Sequence, residues 1–63
     1  MTTERIARFL ARSGVASRRA CEQLVASGRV TLNGLPVTVP ATFVDPERDV
    51  VAVDGISAHP PTD

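Results

Sequence analysis

The sequence predicts an α+β domain: two packed N-terminal helices followed by a small, mostly antiparallel sheet. Three observations carry this. Apolar residues recur at helical spacing up to Val25, and the period changes to two after Gly28. Glycines stand where helices should end, at Gly14 and Gly28. Asn33-Gly34 between two apolar runs is a strong hairpin signal, because a type I′ turn needs positive φ at both central residues.

The first helix is predicted over residues 4–13. Ile6, Phe9 and Leu10 fall at i, i+3 and i+4 and form its apolar stripe; Arg5, Arg8 and Arg12 fall at i, i+3 and i+7 and form a second one. Gly14 is expected to close it in a left-handed cap, with Val15 packing back on Leu10. Ser17 is the expected cap of the second helix, whose buried stripe is Ala20, Cys21, Leu24 and Val25; Ala16 and Cys21 are spaced as a hydrophobic staple. Gly28 ends it.

Residues 29–32 read as a strand with Val30 and Leu32 on one side. Leu35, Val37 and Val39 form the return segment, which Pro36 and Pro40 confine to an edge or an irregular path. Asp45-Pro46-Glu47-Arg48-Asp49 is a polar turn. Residues 50–53 are a short buried strand and Asp54-Gly55 a second turn. Residues 1–57 are expected to form one domain, and residues 58–63, with Pro60 and Pro61, a tail or the start of a linker.

A chain of 63 residues has a small core and little room for a deep, dry pocket. Its only histidine, His59, falls in the tail, and its only cysteine, Cys21, falls on an apolar helix face, so no nucleophile–base arrangement suggests itself. Catalysis, metal and cofactor binding are not expected. With neither a membrane-length apolar run nor a signal-peptide pattern after Met1, the expected location is the cytoplasm.

The net charge of zero conceals a division. Residues 1–31 carry six arginines and two acids; residues 32–63 carry one arginine and five acids. A basic half of this kind suits an anionic partner. Arg18 and Arg19 directly follow the Ser17 cap, at the helix end where cations are disfavoured. A helix N-terminus with free N–H groups and two guanidinium forks suits a phosphate; the alternative is an exposed pair with Arg18 held to Glu22 at i+4. The two aromatics, Phe9 and Phe43, are too few for a base-stacking surface, which favours recognition of folded RNA by backbone and shape.

The run from Ala11 through Arg12-Ser13-Gly14-Val15-Ala16-Ser17-Arg18-Arg19-Ala20-Cys21 to Glu22, continued by Leu24-Val25 and Gly28-Arg29-Val30-Thr31-Leu32-Asn33-Gly34, resembles the RNA-binding domain known from ribosomal protein S-four, the alpha-L motif. It is most similar to the version at the N-terminus of bacterial ribosomal-RNA pseudouridine synthases. Asp45-Pro46-Glu47-Arg48-Asp49 and Val53-Asp54-Gly55 match as well. One departure is Ala7, where many members carry an acid. The resemblance implies an RNA surface made of Arg5, Arg8, Arg12, Ser17, Arg18, Arg19 and Arg29, with Asn33 and Gly34 at the turn. It implies structured RNA as partner, ribosomal RNA foremost, for a non-catalytic domain whose catalytic counterpart is a separate, larger domain; the chain itself is expected to be a monomer. A protein-interaction or regulatory adaptor on the ribosome is the alternative.

Overall fold

The computed structural model describes residues 3–59. The chain runs β1 (Glu4–Arg5), α1 (Ile6–Arg12), α2 (Arg18–Ala26), β2 (Val30–Leu32), β3 (Leu35–Val37), β4 (Phe43–Val44), β5 (Val51–Val53) and β6 (Ile56–Ser57). Strands β3-β2-β5-β6 form a four-stranded antiparallel sheet in that order, and β1 pairs with β4 in a separate two-stranded ladder. This is the predicted α+β arrangement.

The helix ends follow from local chemistry. Past α1, the Gly14 N–H donates to the Ala11 carbonyl at 3.1 Å and the Val15 N–H to the Leu10 carbonyl at 3.2 Å, the two bonds of a Schellman motif. Past α2 the motif repeats: Gly28 N–H to the Val25 carbonyl at 3.0 Å, Arg29 N–H to the Leu24 carbonyl at 3.3 Å. At the start of α2, Ser17 Oγ accepts from the Ala20 N–H at 3.2 Å.

Ile6, Phe9 and Leu10 from α1, Cys21 and Val25 from α2, and Val30, Val44 and Val51 from the strands make one core with Ala7. Burial of each large apolar side chain contributes about 1.5–3 kcal/mol, so the helix pair and the sheet hold each other in place. Ala20 and Leu24 are only partly buried, at the margin of the predicted stripe.

Several boundaries differ from the sequence reading. Glu4 and Arg5 are extended, not helical: Glu4 pairs with Val44 and Arg5 with Phe43, and the Ile6 N–H donates to the Thr42 carbonyl at 2.8 Å. The ladder to β4 captures these two residues before the helix begins. The return strand stops at Val37, leaving Val39 57% exposed in a turn, and Val50 lies outside β5. Asp54 and Gly55, both at positive φ, form a hairpin turn into β6, and the Ala58 N–H donates to the Val51 carbonyl at 2.8 Å. Ser57 and Ala58 are thus tied to the sheet; residues 60–63 of the expected tail lie outside the described residues. Among the described residues no helix is long and apolar enough to cross a membrane.

Candidate nucleic-acid interface

Arg18 and Arg19 are the first two residues of α2, directly after the Ser17 cap, and both are exposed. The first turn of α2 contains no acid. No carboxylate lies within ion-pair distance of either guanidinium among the described residues, so the expected alternative, an Arg18–Glu22 pair, does not form. Ser17 serves only the Ala20 N–H through its side chain. The N–H groups of Arg18 and Arg19 therefore open outward from the positive end of the helix dipole.

Arg5 comes to the same place by a different route. As the last residue of β1 it lines the same cleft as Arg18, together with Ala7, Glu22, Val39, Pro40 and Ala41. Glu22 contributes the one negative charge there. Ala7 is buried in the core beside this cleft, so an apolar methyl stands at the position where an acid would have been the alternative.

Arg8 and Arg12 line a second hollow with Thr3 and Glu4. Here the charge is partly cancelled. Arg12 Nε donates to both carboxylate oxygens of Glu4 at 3.0 Å, and its Nη2 also bonds Glu4. Those hydrogen bonds, set against a small cost of burial, hold Glu4 below the usual carboxylate range and raise Arg12. Arg12 also lies over the Phe9 ring, 5.8 Å from its centroid. Because Arg5 belongs to β1, the predicted three-arginine helical stripe is reduced to Arg8 and Arg12 on α1.

Arg29 sits in a third hollow beside Ala16, Ala20, Gln23, Leu24 and Ser27. Its guanidinium bonds the Asp54 carboxylate in bidentate fashion. Asn33 is absorbed by the fold: its Nδ2 donates to Asp49 Oδ1 at 3.1 Å and its Oδ1 accepts from the Val50 N–H at 2.8 Å. The acidic turn is built likewise. Asp49 Oδ2 accepts from the Asp45 N–H at 2.7 Å, and Asp45 Oδ1 from the Glu47 N–H at 3.0 Å.

The predicted arginines thus separate into two kinds. Arg5, Arg8, Arg18 and Arg19 are exposed with no ion pair among the described residues, whereas Arg12 and Arg29 are paired. Sequence reasoning missed both partners. Glu4 lies eight residues from Arg12 and Asp54 twenty-five from Arg29, distances no local spacing rule spans.

Comparison with known proteins bears on what this surface meets. The S4 domain family matches residues 4–56. The chain is 48% identical over 52 residues to an Arabidopsis thaliana chloroplast protein named as a ribosomal large subunit pseudouridine synthase; this covers 82% of the chain and 13% of that protein. An uncharacterized RNA pseudouridine synthase of Aquifex aeolicus is 47% identical over 60 residues, 95% of the chain and 24% of that protein. One from Mycobacterium leprae is 48% identical over 52 residues, 82% of the chain and 20% of that protein. The chain spans about a quarter or less of the length of these relatives. With the match running from β1 to the first residue of β6, the chain belongs to the S4 domain family, whose members are non-catalytic RNA-binding domains.

Proposed function

We propose that this domain docks structured RNA, ribosomal RNA foremost, by seating backbone phosphates on Arg5, Arg8, Arg18 and Arg19, and that it serves as the targeting domain of a ribosomal-RNA pseudouridine synthase. The observation that carries the reading is the start of α2, where two unpaired arginines and free N–H groups meet at the positive end of the helix. Cations there oppose the dipole at about 0.3–1 kcal/mol each; a bound phosphate reverses that unfavourable arrangement. Arg12 and Arg29 bond their carboxylates through Nε and Nη2, which leaves Nη1 of each to extend the same surface. Ser17 and Asn33 enter as shaping residues, through the helix cap and the turn. The domain works as a monomer in the cytoplasm, alongside the ribosome. The names of the relatives supply the link to pseudouridine formation and, in the chloroplast protein, to the large ribosomal subunit.

The test is the salt dependence of binding to a ribosomal-RNA hairpin, measured by fluorescence anisotropy. Replacing both residues, Arg18→Gln with Arg19→Gln, is expected to lower the magnitude of the log K versus log salt slope by ~1–2, about one per lost phosphate contact. Affinity should fall similarly across RNA sequences, because phosphate contacts position without specifying. Arg48→Gln, in the acidic turn, should change little. A folded double variant with the parent's affinity and slope overturns the assignment.

A further inference from the structure

The β1–β4 ladder puts Arg5 directly opposite Phe43. Directly opposed residues of an antiparallel pair point to the same face, with Cβ atoms ~4.5–5.5 Å apart. The neighbouring pair, Glu4 and Val44, turns the other way: Val44 is 1% exposed and belongs to the core. Phe43 is consequently held outward, 62% exposed, on a strand anchored one residue later by a buried valine. The Ile6 N–H bond to the Thr42 carbonyl fixes the strand on its other side.

A single exposed apolar residue is ordinary. This one differs in its surroundings. It is one of two aromatics in the chain, and the other, Phe9, is 2% exposed. The cation–π contact among the described residues belongs to Arg12 and Phe9, so no guanidinium covers the Phe43 ring. Arg5, its cross-strand partner, also lines the cleft that holds Arg18. An uncovered ring thus stands beside one unpaired cation, Arg5, which shares its cleft with a second, Arg18, against the single carboxylate of Glu22. That juxtaposition matches a single nucleotide: a flat, apolar base face joined to an anionic phosphate. Aliphatic apolar partners would use the ring and leave the cations unmatched; a continuous duplex would use the cations and leave the ring bare, because its bases are stacked within the helix.

We infer that Phe43 and Arg5 form a platform for one unpaired nucleotide, its base stacked on the Phe43 ring and its phosphate held between Arg5 and Arg18. This inference rests on the RNA-docking reading above and narrows it. The preferred RNA is a helix interrupted by a bulged or extruded nucleotide, and not a continuous duplex.

The experiment compares two RNA hairpins that differ only by a single bulged nucleotide, bound to the parent domain, F43L and F43W. Base–aromatic stacking leads to an expected preference of about 5- to 150-fold for the bulged hairpin in the parent. F43L should abolish the preference while keeping the affinity and salt slope for the continuous hairpin; F43W should restore it. The chain has no tryptophan, so F43W also carries a lone reporter, whose fluorescence should be quenched by the bulged hairpin and not by the continuous one. Equal binding of the two hairpins by the parent, a preference retained in F43L, or an unquenched F43W overturns the platform while leaving the phosphate-docking surface standing. Absence of affinity for either hairpin overturns both.

Discussion

Arg29 and Asp54 share three hydrogen bonds, two between side chains and one between backbones. Arg29 Nε donates to Asp54 Oδ1 at 3.0 Å, with Nη2 on the second carboxylate oxygen, and the Asp54 N–H donates to the Arg29 carbonyl at 3.0 Å. The exit of α2 is thereby fastened to the turn between β5 and β6. The bonded guanidinium holds Asp54 below the usual carboxylate range and raises Arg29. The pair also joins the basic first half of the chain to the acidic second half.

Asp54→Asn follows directly. Asp54 sits at φ 51°, a conformation asparagine tolerates well, so the turn should survive. Removing the negative charge frees Arg29. Affinity for an RNA hairpin should rise by a few-fold, and the salt slope should steepen by ~1. Anisotropy titrations at several salt concentrations measure both. An unchanged slope would put Arg29 outside the interface.

The turn at Asn33-Gly34 should be sensitive to substitution for two separable reasons. Gly34 has φ 86° with open space where a Cβ would stand, so only the backbone conformation resists a side chain. Gly34→Val should cost about 1–2 kcal/mol. Asn33→Gly keeps the conformation accessible but removes the bonds to Asp49 and Val50, each worth ~0.5–1.5 kcal/mol. Thermal melts should show both losses, at roughly 4–8 °C per kcal/mol in a domain of this size.

Acid should destabilise the domain through three carboxylates. Glu4 is lowered first by its bonds from Arg12, Asp49 by the Asp45 N–H and then Asn33, and Asp54 by Arg29. A group made more acidic by folding contributes its stability fully above its unfolded pKa. That stability disappears as pH falls through the lower folded value. Urea midpoints should therefore hold above pH ~5 and decline below pH ~4. Asp49→Asn should be less stable than the parent near neutrality, with the gap closing as pH falls below ~4.

Cys21 should react slowly. Its side chain is fully buried, burial raises the thiol, and Sγ lies 3.5 Å from the Ala16 carbonyl. Labelling by a thiol reagent should be slower in the native domain than in urea by a factor on the order of 10² or more, set by how rarely the core opens. Labelling at the unfolded rate would contradict the packing of α2 on α1.

What the sequence made legible was what local rules write. Ser17, Gly14 and Gly28 mark helix ends because capping bonds span only a few residues, and Asn33-Gly34 marks its turn because φ is a property of single residues. The two-residue strands were not legible. Phe43–Val44 is too short to show a period, and Glu4–Arg5 continues the helical pattern of α1. The same limit applies to the surface. The arginines at the start of α2 announce themselves by breaking the dipole rule, whereas the pairing of Arg12 with Glu4 and the facing of Arg5 by Phe43 exist only once β1 has found β4. The arginines that remain unpaired are a tertiary outcome.

Pro36 has a consequence beyond ending a pattern. In the two-residue hairpin of β2 and β3, Leu35 and Val37 turn their backbone groups toward β2, and the middle residue, opposite Thr31, turns its own away. β3 is the outer strand of its sheet, so residue 36 would hold the one amide of that strand facing solvent. Proline has no such hydrogen to offer. A second copy sliding alongside finds an acceptor but no donor, and Leu35, 70% exposed, can sit on an open flank without seeding strand-to-strand stacking. One missing hydrogen thus removes the donor through which this edge would pair with another.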